Sequence, residues 1–419
     1  MTNSFATTSR EPKCIAYLHG ISEALLYCWL TGLVLPHANA LYNLGLFGAP
    51  LVGLAYVLLS RGTALTWPPK ALTFGFCVFS AWNLLSCTWA PLPKQAVAQW
   101  WGNPGIAVMT GCIYAVIFQD RGSQKRFWQF IVPLSAVLAC MYIAEWISVS
   151  KAVGALIPPY PSMRSWGDRL ILCFPFLMFS GELADKRIIK SVIKSLVLIF
   201  ACLMIVTGAR GVWLALIFCI VSWAILTKKG KQLAVVAGSL CLIFGLSLLI
   251  PENPLKERLS NITYMSDRLN YTWGPALQFW EQSPFAGIGF GSDAFQDKAN
   301  ELAKNNADWL TEIDKGGQDY YVHLGPHSNY LEALAGGGVI GLFLLLYFYS
   351  QVIRNTFLSP RPINLLLAAT GSGIFVKYMI HGTVESINWK ALGILIGLML
   401  AALASNPRSK NKEKQVEAV

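Results

Sequence analysis

Charge is what this chain has least of. Only 13% of its 419 residues are charged and 54% are hydrophobic, whereas a soluble domain carries about 25% charged residues. That deficit excludes a water-soluble globule of this length and puts most of the chain in lipid. Catalytic signatures are also missing: there is no GxSxG, HExxH, GxxxxGK[ST] or DxD sequence. This argues against a serine hydrolase, a zincin, a P-loop ATPase and a metal-dependent glycosyltransferase. No CxxC pair and no His/Cys cluster with metal spacing occurs, and all ten cysteines lie at or before Cys241. They read as apolar packing residues rather than as a disulfide framework. Nor does any polar segment carry a basic stripe with interleaved stacking aromatics. The net charge of +11 therefore does not indicate nucleic acid.

What the chain does have is apolar runs. Twelve are expected as membrane helices, over residues 17–36, 40–59, 71–89, 101–118, 127–149, 170–183, 192–207, 212–227, 233–250, 330–353, 363–380 and 389–404. Most approach the roughly 20 residues that cross hydrocarbon as a helix. A backbone in lipid must satisfy its own polar groups, which selects helix over open sheet. The weakest of the twelve is 170–183, short and interrupted by Pro175. Basic residues test the count. With the N-terminus inside and sides alternating, 20 of the 33 fall on inner connections, from Arg10 and Lys13 to the tail lysines. The positive-inside bias thus predicts twelve spans with both termini cytoplasmic, and the inner clusters suit anionic membrane lipids. Ala38-Asn39-Ala40 resembles a signal-peptidase site, but the run before it starts deep in the chain, so an uncleaved first span is expected.

One long polar interruption, residues 251–328, separates the ninth and tenth runs. Ser266-Asp267 reads as a helix N-cap, and Leu269, Trp273, Leu277 and Trp280 then share a face at helical spacing, with Pro275 as a kink. A glycine-punctuated turn follows, Pro284-Phe285-Ala286-Gly287-Ile288-Gly289-Phe290-Gly291, and residues 298–321 read as a lid. In the tenth run, Gly337 and Gly341 have the GxxxG spacing of close helix packing.

Ionisable residues gather at the outer ends of these runs. His327 follows Pro326 and precedes the tenth helix. A helix N-terminus disfavours imidazolium, so this histidine reads either as a general base at neutral pH or as a capping surface residue. Arg210, in Thr207-Gly208-Ala209-Arg210-Gly211, sits close to hydrocarbon in a very short connection. Either it meets an anion or it snorkels to the interface. Arg268 opens the loop helix, and Arg164 and Arg169 flank Ser165-Trp166-Gly167-Asp168 on the same face. Arginine's planar fork suits bidentate contact with phosphate, and pairing with Asp168 and loop acids is the alternative for Arg164 and Arg169, above all for Arg169. Glu385, with Lys377 and His381 nearby, lies at the last outer connection, where a carboxylate can orient a histidine or pair with an arginine.

Taken in order, these pieces resemble the O-antigen ligase and polymerase superfamily of the bacterial cell envelope. The resemblance rests on Thr207–Gly211, on Arg268 running into the Pro284–Gly291 turn, and on His327-Ser328-Asn329-Tyr330-Leu331 opening a helix rich in small residues. The run Gly336-Gly337-Gly338 has more glycines than that pattern. The resemblance implies an all-α, GT-C-like polytopic membrane protein of about 12 transmembrane helices with one long periplasmic loop. Residues 1–406 would form the transferase domain, including the 251–328 loop, and 407–419 a basic cytoplasmic tail. It implies an inverting, metal-independent transfer of glycan, in the inner membrane, from undecaprenyl diphosphate to lipid A-core oligosaccharide, without a cofactor. His327, Arg210 and Arg268 would be catalytic, and Arg164, Arg169, Tyr330, Lys377 and Glu385 would contact the diphosphate or substrate. Within the family the moderate loop favours a ligase over a polymerase or a protein O-oligosaccharyltransferase. A polyprenyl-glycan transporter shares the hydropathy, but transporters place charge at the bilayer midplane rather than at one face.

Overall fold

The computed structural model describes residues 13–60, 70–154, 160–247, 249, 272–304, 325–359 and 363–405. No strand occurs among them. The helices are α1 (Lys13–Val34), α2 (Asn39–Leu59), α3 (Lys70–Ser86), α4 (Pro93–Trp100), α5 (Ile106–Ile117), α6 (Arg121–Val153), α7 (Tyr160–Leu183), α8 (Arg187–Val206), α9 (Arg210–Thr227) and α10 (Gly230–Ser247). They continue with α11 (Gly274–Gln282), α12 (Ser292–Lys304), α13 (Asn329–Phe357), α14 (Leu365–Ile374) and α15 (Trp389–Ala404). A π turn, Trp101–Gly105, joins α4 to α5, and a second, Phe375–Ile380, carries α14 into a short 3-10 turn, His381–Thr383.

The packing of α2 is inverted relative to a helix of a soluble bundle. On α2, Leu44, Phe47, Leu51, Leu54 and Leu58 recur at helical spacing and are all exposed, while the buried face consists of Gly45, Ala49, Gly53 and Tyr56. Large apolar side chains outside and small ones inside are stable only when the surroundings are hydrocarbon. α1 lies on this small face so closely that a β-carbon on Gly45 would collide with Trp29, or one on Gly32 with Tyr42. Six helical stretches are long and apolar enough to cross a membrane: α2, α6, α8, α9, α13 and Leu365–Thr383. The other expected segments are helical as well, from the 22 residues of α1 to the 16 of α15. The molecule is thus an all-helical, multi-pass membrane protein. All ten cysteines are free, and only Cys87, Cys173 and Cys219 are buried. Several of the others therefore face outward from apolar helices rather than filling the core.

α14 and α15 form the centre. α15 is buried along almost its whole length, and Gly393 and Gly397 bring it against Ala107 and Gly111 of α5. At a separate point, buried Glu23 of α1 accepts from Arg126 at 2.9 and 2.6 Å, from Tyr27 at 2.7 Å and from Ser123 at 2.9 Å. This ties α1 to α6.

Two expected elements differ. The short segment 170–183 is the end of a 24-residue helix that contains Pro175. Arg164 and Arg169 therefore sit on helical turns of α7, not in a connection, because the polar turns simply extend the apolar helix. The described part of the loop helix is a π turn at Thr272 and Trp273 running into α11, with Pro275 in the first turn of α11. Pro275 thus stands where a wider turn passes into α-helix, a place where its missing N–H disrupts little. Pro275, Ala276 and Phe279 are buried, Trp273 and Trp280 are half-buried, and Leu277 is exposed. Ser266, Asp267, Arg268 and Leu269 lie outside the described residues, as does 305–321 of the expected lid.

Candidate functional site

α9, α13 and α15 start, and the Leu365–Thr383 stretch finishes, at one end of the bundle, and the candidate residues collect there. Ser328 is extended and its hydroxyl accepts the Leu331 N–H, capping α13. The preceding residue, His327, has φ +46°, a left-handed conformation that histidine adopts more readily than most side chains but that remains strained. The turn aims its ring at the connection after α14. Nδ1 lies 3.8 Å from Oε1 of Glu385, with the two side chains 17% and 24% exposed. Both ring nitrogens are shielded from solvent, and neither makes a hydrogen bond among the described residues.

The first turn of α13 is stapled to the π turn. A wide turn leaves carbonyls without their usual helical donors, and here α13 supplies side chains instead. Asn329 donates to the Tyr378 carbonyl at 2.9 Å, which also accepts from Tyr349 at 3.1 Å. Tyr330 donates to the Met379 carbonyl at 2.8 Å. The Glu332 carboxylate accepts the Ile387 N–H at 3.4 Å, which fixes the backbone two residues beyond Glu385. Gly382 has no β-carbon because the Asn329 amide occupies that space.

Lys377 lies within the π turn and is only 4% exposed. A cation there needs a countercharge, and Asp168 of α7 provides it by accepting directly from Nζ. Nδ1 of His381 lies 3.5 Å from Lys377 Nζ and 3.9 Å from Asp168 Oδ1. Asp168 therefore meets Lys377, whereas Arg169 lies over the Trp166 ring at 5.6 Å.

The Thr207–Gly211 turn joins the same group. Thr207 donates to Met204 at 2.7 Å, Gly208 has φ +67°, and the Trp213 indole donates back to Ile205 at 2.9 Å. Arg210 is exposed at the first position of α9. A β-carbon on the next residue, Gly211, would stand 2.7 Å from Cδ2 of His381. The segment 375–387 thus touches both the arginine turn and the histidine turn.

The glycine turn forms the outer wall. Ile288 and Gly289 donate to the carbonyls of Ala335 and Gly336 at 2.8 and 3.0 Å, and Val339 donates to Pro284 at 2.8 Å. α13 breaks to make this pairing, with Gly338 at φ 66°, ψ −166°. The turn, α11, α12 and α13 share a small core of Ala276, Phe279, Ile288, Phe295, Ala299 and Ala335. Gly337 and Gly341 receive the Trp82 indole, whose N–H donates to the Gly337 carbonyl at 2.9 Å.

Of the residues expected from sequence, the fold brings together His327, Glu385 and Tyr330, and through His381 it links Lys377 to the turn bearing Arg210. The residues not expected are Asn329, Glu332 and the Asp168–Lys377 pairing. A lysine and a histidine four apart near the end of an apolar run were the available signal.

Fold and site define a multi-pass membrane protein with ionisable and polar groups concentrated at one end of its helices. Residues 195–346, from within α8 to past the break in α13, match the family model described as O-antigen ligase. Over 251 residues the chain is 29% identical to an O-antigen ligase of Salmonella typhimurium, covering 57% of this chain and 59% of that protein. The chain thus spans less than two thirds of that relative. The family match holds Arg210, the glycine turn and His327, while Asp168, Lys377, His381 and Glu385 flank it.

Proposed function

We propose that this chain is a glycan-transferring enzyme, an O-antigen ligase of lipopolysaccharide biosynthesis. It moves glycan from undecaprenyl diphosphate to lipid A-core oligosaccharide at the periplasmic face of the bacterial inner membrane. The observation that carries the reading is His327, a largely shielded imidazole beside Glu385 that makes no hydrogen bond among the described residues, in a turn stapled to the segment that seats the arginine turn. In this reading His327 takes the proton from an acceptor sugar hydroxyl as that oxygen attacks the anomeric carbon. Glu385, 3.8 Å from Nδ1, stabilises the resulting imidazolium. The bond to the diphosphate breaks on the opposite face, so the anomeric carbon inverts.

Arg210 and Arg268 bind and neutralise the departing diphosphate, which makes a metal unnecessary. Each well-placed donor is worth about 3–4 kcal/mol. Arg164 and Arg169 on α7 extend the anion-binding side, Lys377, whose charge Asp168 meets, supports the site from behind rather than meeting the anion, and Tyr330 lines the acceptor side. Residues 1–406 form the transferase domain with twelve spans, both termini and the 407–419 tail being cytoplasmic, as the basic-residue bias supports.

The test is transfer by the purified, reconstituted protein, with undecaprenyl-diphosphate glycan and lipid A-core, in EDTA. Glycan is expected on lipid A-core, and His327→Ala should slow its appearance about 100- to 10,000-fold. Near-normal transfer by that variant sinks the base assignment, and loss in EDTA restored by a divalent ion sinks the metal-free mechanism. Longer carrier-linked chains would mean a polymerase, and no covalent product with either lipid a transporter.

A further inference from the structure

His381 takes no direct part in the mechanism above, yet it occupies the junction of the site. Its side chain is only 7% exposed, so it does not face a substrate. On one side Nδ1 is held within 3.5 Å of Lys377 Nζ and 3.9 Å of Asp168 Oδ1. On the other, the ring edge fills the space a side chain on Gly211 would need, 2.7 Å from a β-carbon there. The start of α9 is gripped from its second flank by α7, where a β-carbon on Gly167 would be 2.5 Å from Val212 Cγ2. Gly167 precedes Asp168, so the ion pair and both close approaches form one continuous unit.

We infer that His381 is a positioning residue: the Lys377–Asp168 pair holds its imidazole against Gly211, and this contact sets where the adjacent Arg210 meets the diphosphate. Moving Asp168 away would leave the Lys377 ammonium, only 4% exposed, without a countercharge, which is costly, so the pair holds its place. A ring held in this way transmits a fixed position to the first turn of α9. The inference rests on the proposed diphosphate role of Arg210.

The experiment uses the full chain in lipid nanodiscs and reads the Kd for undecaprenyl diphosphate together with donor and acceptor KM and kcat. The variants are Arg210→Gln, Gly211→Ala, His381→Ala, His381→Gln and the Gly211→Ala/His381→Ala pair, each checked as monodisperse. His381→Ala should raise donor Kd and KM roughly tenfold or more, as expected of a displaced binding group, with acceptor KM unchanged. Gly211→Ala should act in the same direction, and the double variant should be no worse than the weaker single variant, since both changes break one contact. His381→Gln, which retains an acceptor for Lys377, should stay close to wild type, and it carries the test if the alanine variant does not fold. Additive losses, or an unchanged donor Kd in His381→Ala while Arg210→Gln weakens binding, overturn the inference alone. If Arg210→Gln leaves donor binding unchanged, the diphosphate reading falls and the inference falls with it.

Discussion

At the residue scale the two ends of the Lys377–Asp168 pair are not equivalent. Lys377 is 4% exposed and Asp168 44%. Removing the carboxylate strands a cation in an apolar interior, whereas removing the cation leaves a carboxylate that water still reaches. Asp168→Asn should therefore destabilise the protein by about 3–5 kcal/mol, and Lys377→Met by clearly less. Thermal midpoints in detergent check the order, and a reversed order would mean that Asp168 is the more deeply buried partner. His327 and Arg210 were legible in the sequence because each stands in a short motif beside an apolar run. The ion pair was not, since its partners are 209 positions apart and Asp168 has an arginine as its immediate neighbour. Arg169 is drawn instead to the Trp166 face, one helical turn back on its own helix.

At the element scale the decisive feature is the break in α13. A glycine run in an apolar helix reads as a packing surface, and Gly337 and Gly341 do receive a neighbour, the Trp82 indole of α3. The third glycine does something periodicity does not encode. Gly338 adopts φ 66°, ψ −166°, a region open essentially to glycine alone. This lets the Pro284–Gly289 turn dock through backbone hydrogen bonds. A β-carbon there would collide with the Phe285 carbonyl, so Gly338→Ala should cost at least about 1–3 kcal/mol of strain and greatly reduce monodisperse protein in size-exclusion chromatography. Gly20→Ala in α1, where nothing lies within 4 Å, should have no such effect; equal yields would show that the break is dispensable. The loop helix taught a related lesson. The expected face of Leu269, Trp273, Leu277 and Trp280 leaves out Phe279, which α11 turns inward toward Phe295, 5.2 Å away between ring centroids.

For the whole molecule the open quantity is sidedness, and the charge bias makes a definite statement about it. In a cysteine-free background, Asp185→Cys and Gln282→Cys place single thiols at exposed positions beyond α7 and at the end of α11. A membrane-impermeant maleimide added to intact spheroplasts should label the Gln282 variant and not the Asp185 variant. The opposite pattern would place the site on the cytoplasmic face and remove the periplasmic reading of the reaction.

Membrane residence and the helical, multi-pass class followed from the sequence itself, because hydrocarbon imposes local demands: about 20 apolar residues per crossing, a self-satisfied backbone, charge at the ends. Those demands act on contiguous residues and can be read along the chain. The Asp168–Lys377–His381 unit, the seating of Gly211, the stapling of α13 to the π turn and the docking of the glycine turn were decided only in the tertiary structure. Each joins residues far apart in sequence, and each depends on which carbonyls a wide turn or a broken helix leaves unsatisfied, something no residue pattern states until the helices have packed.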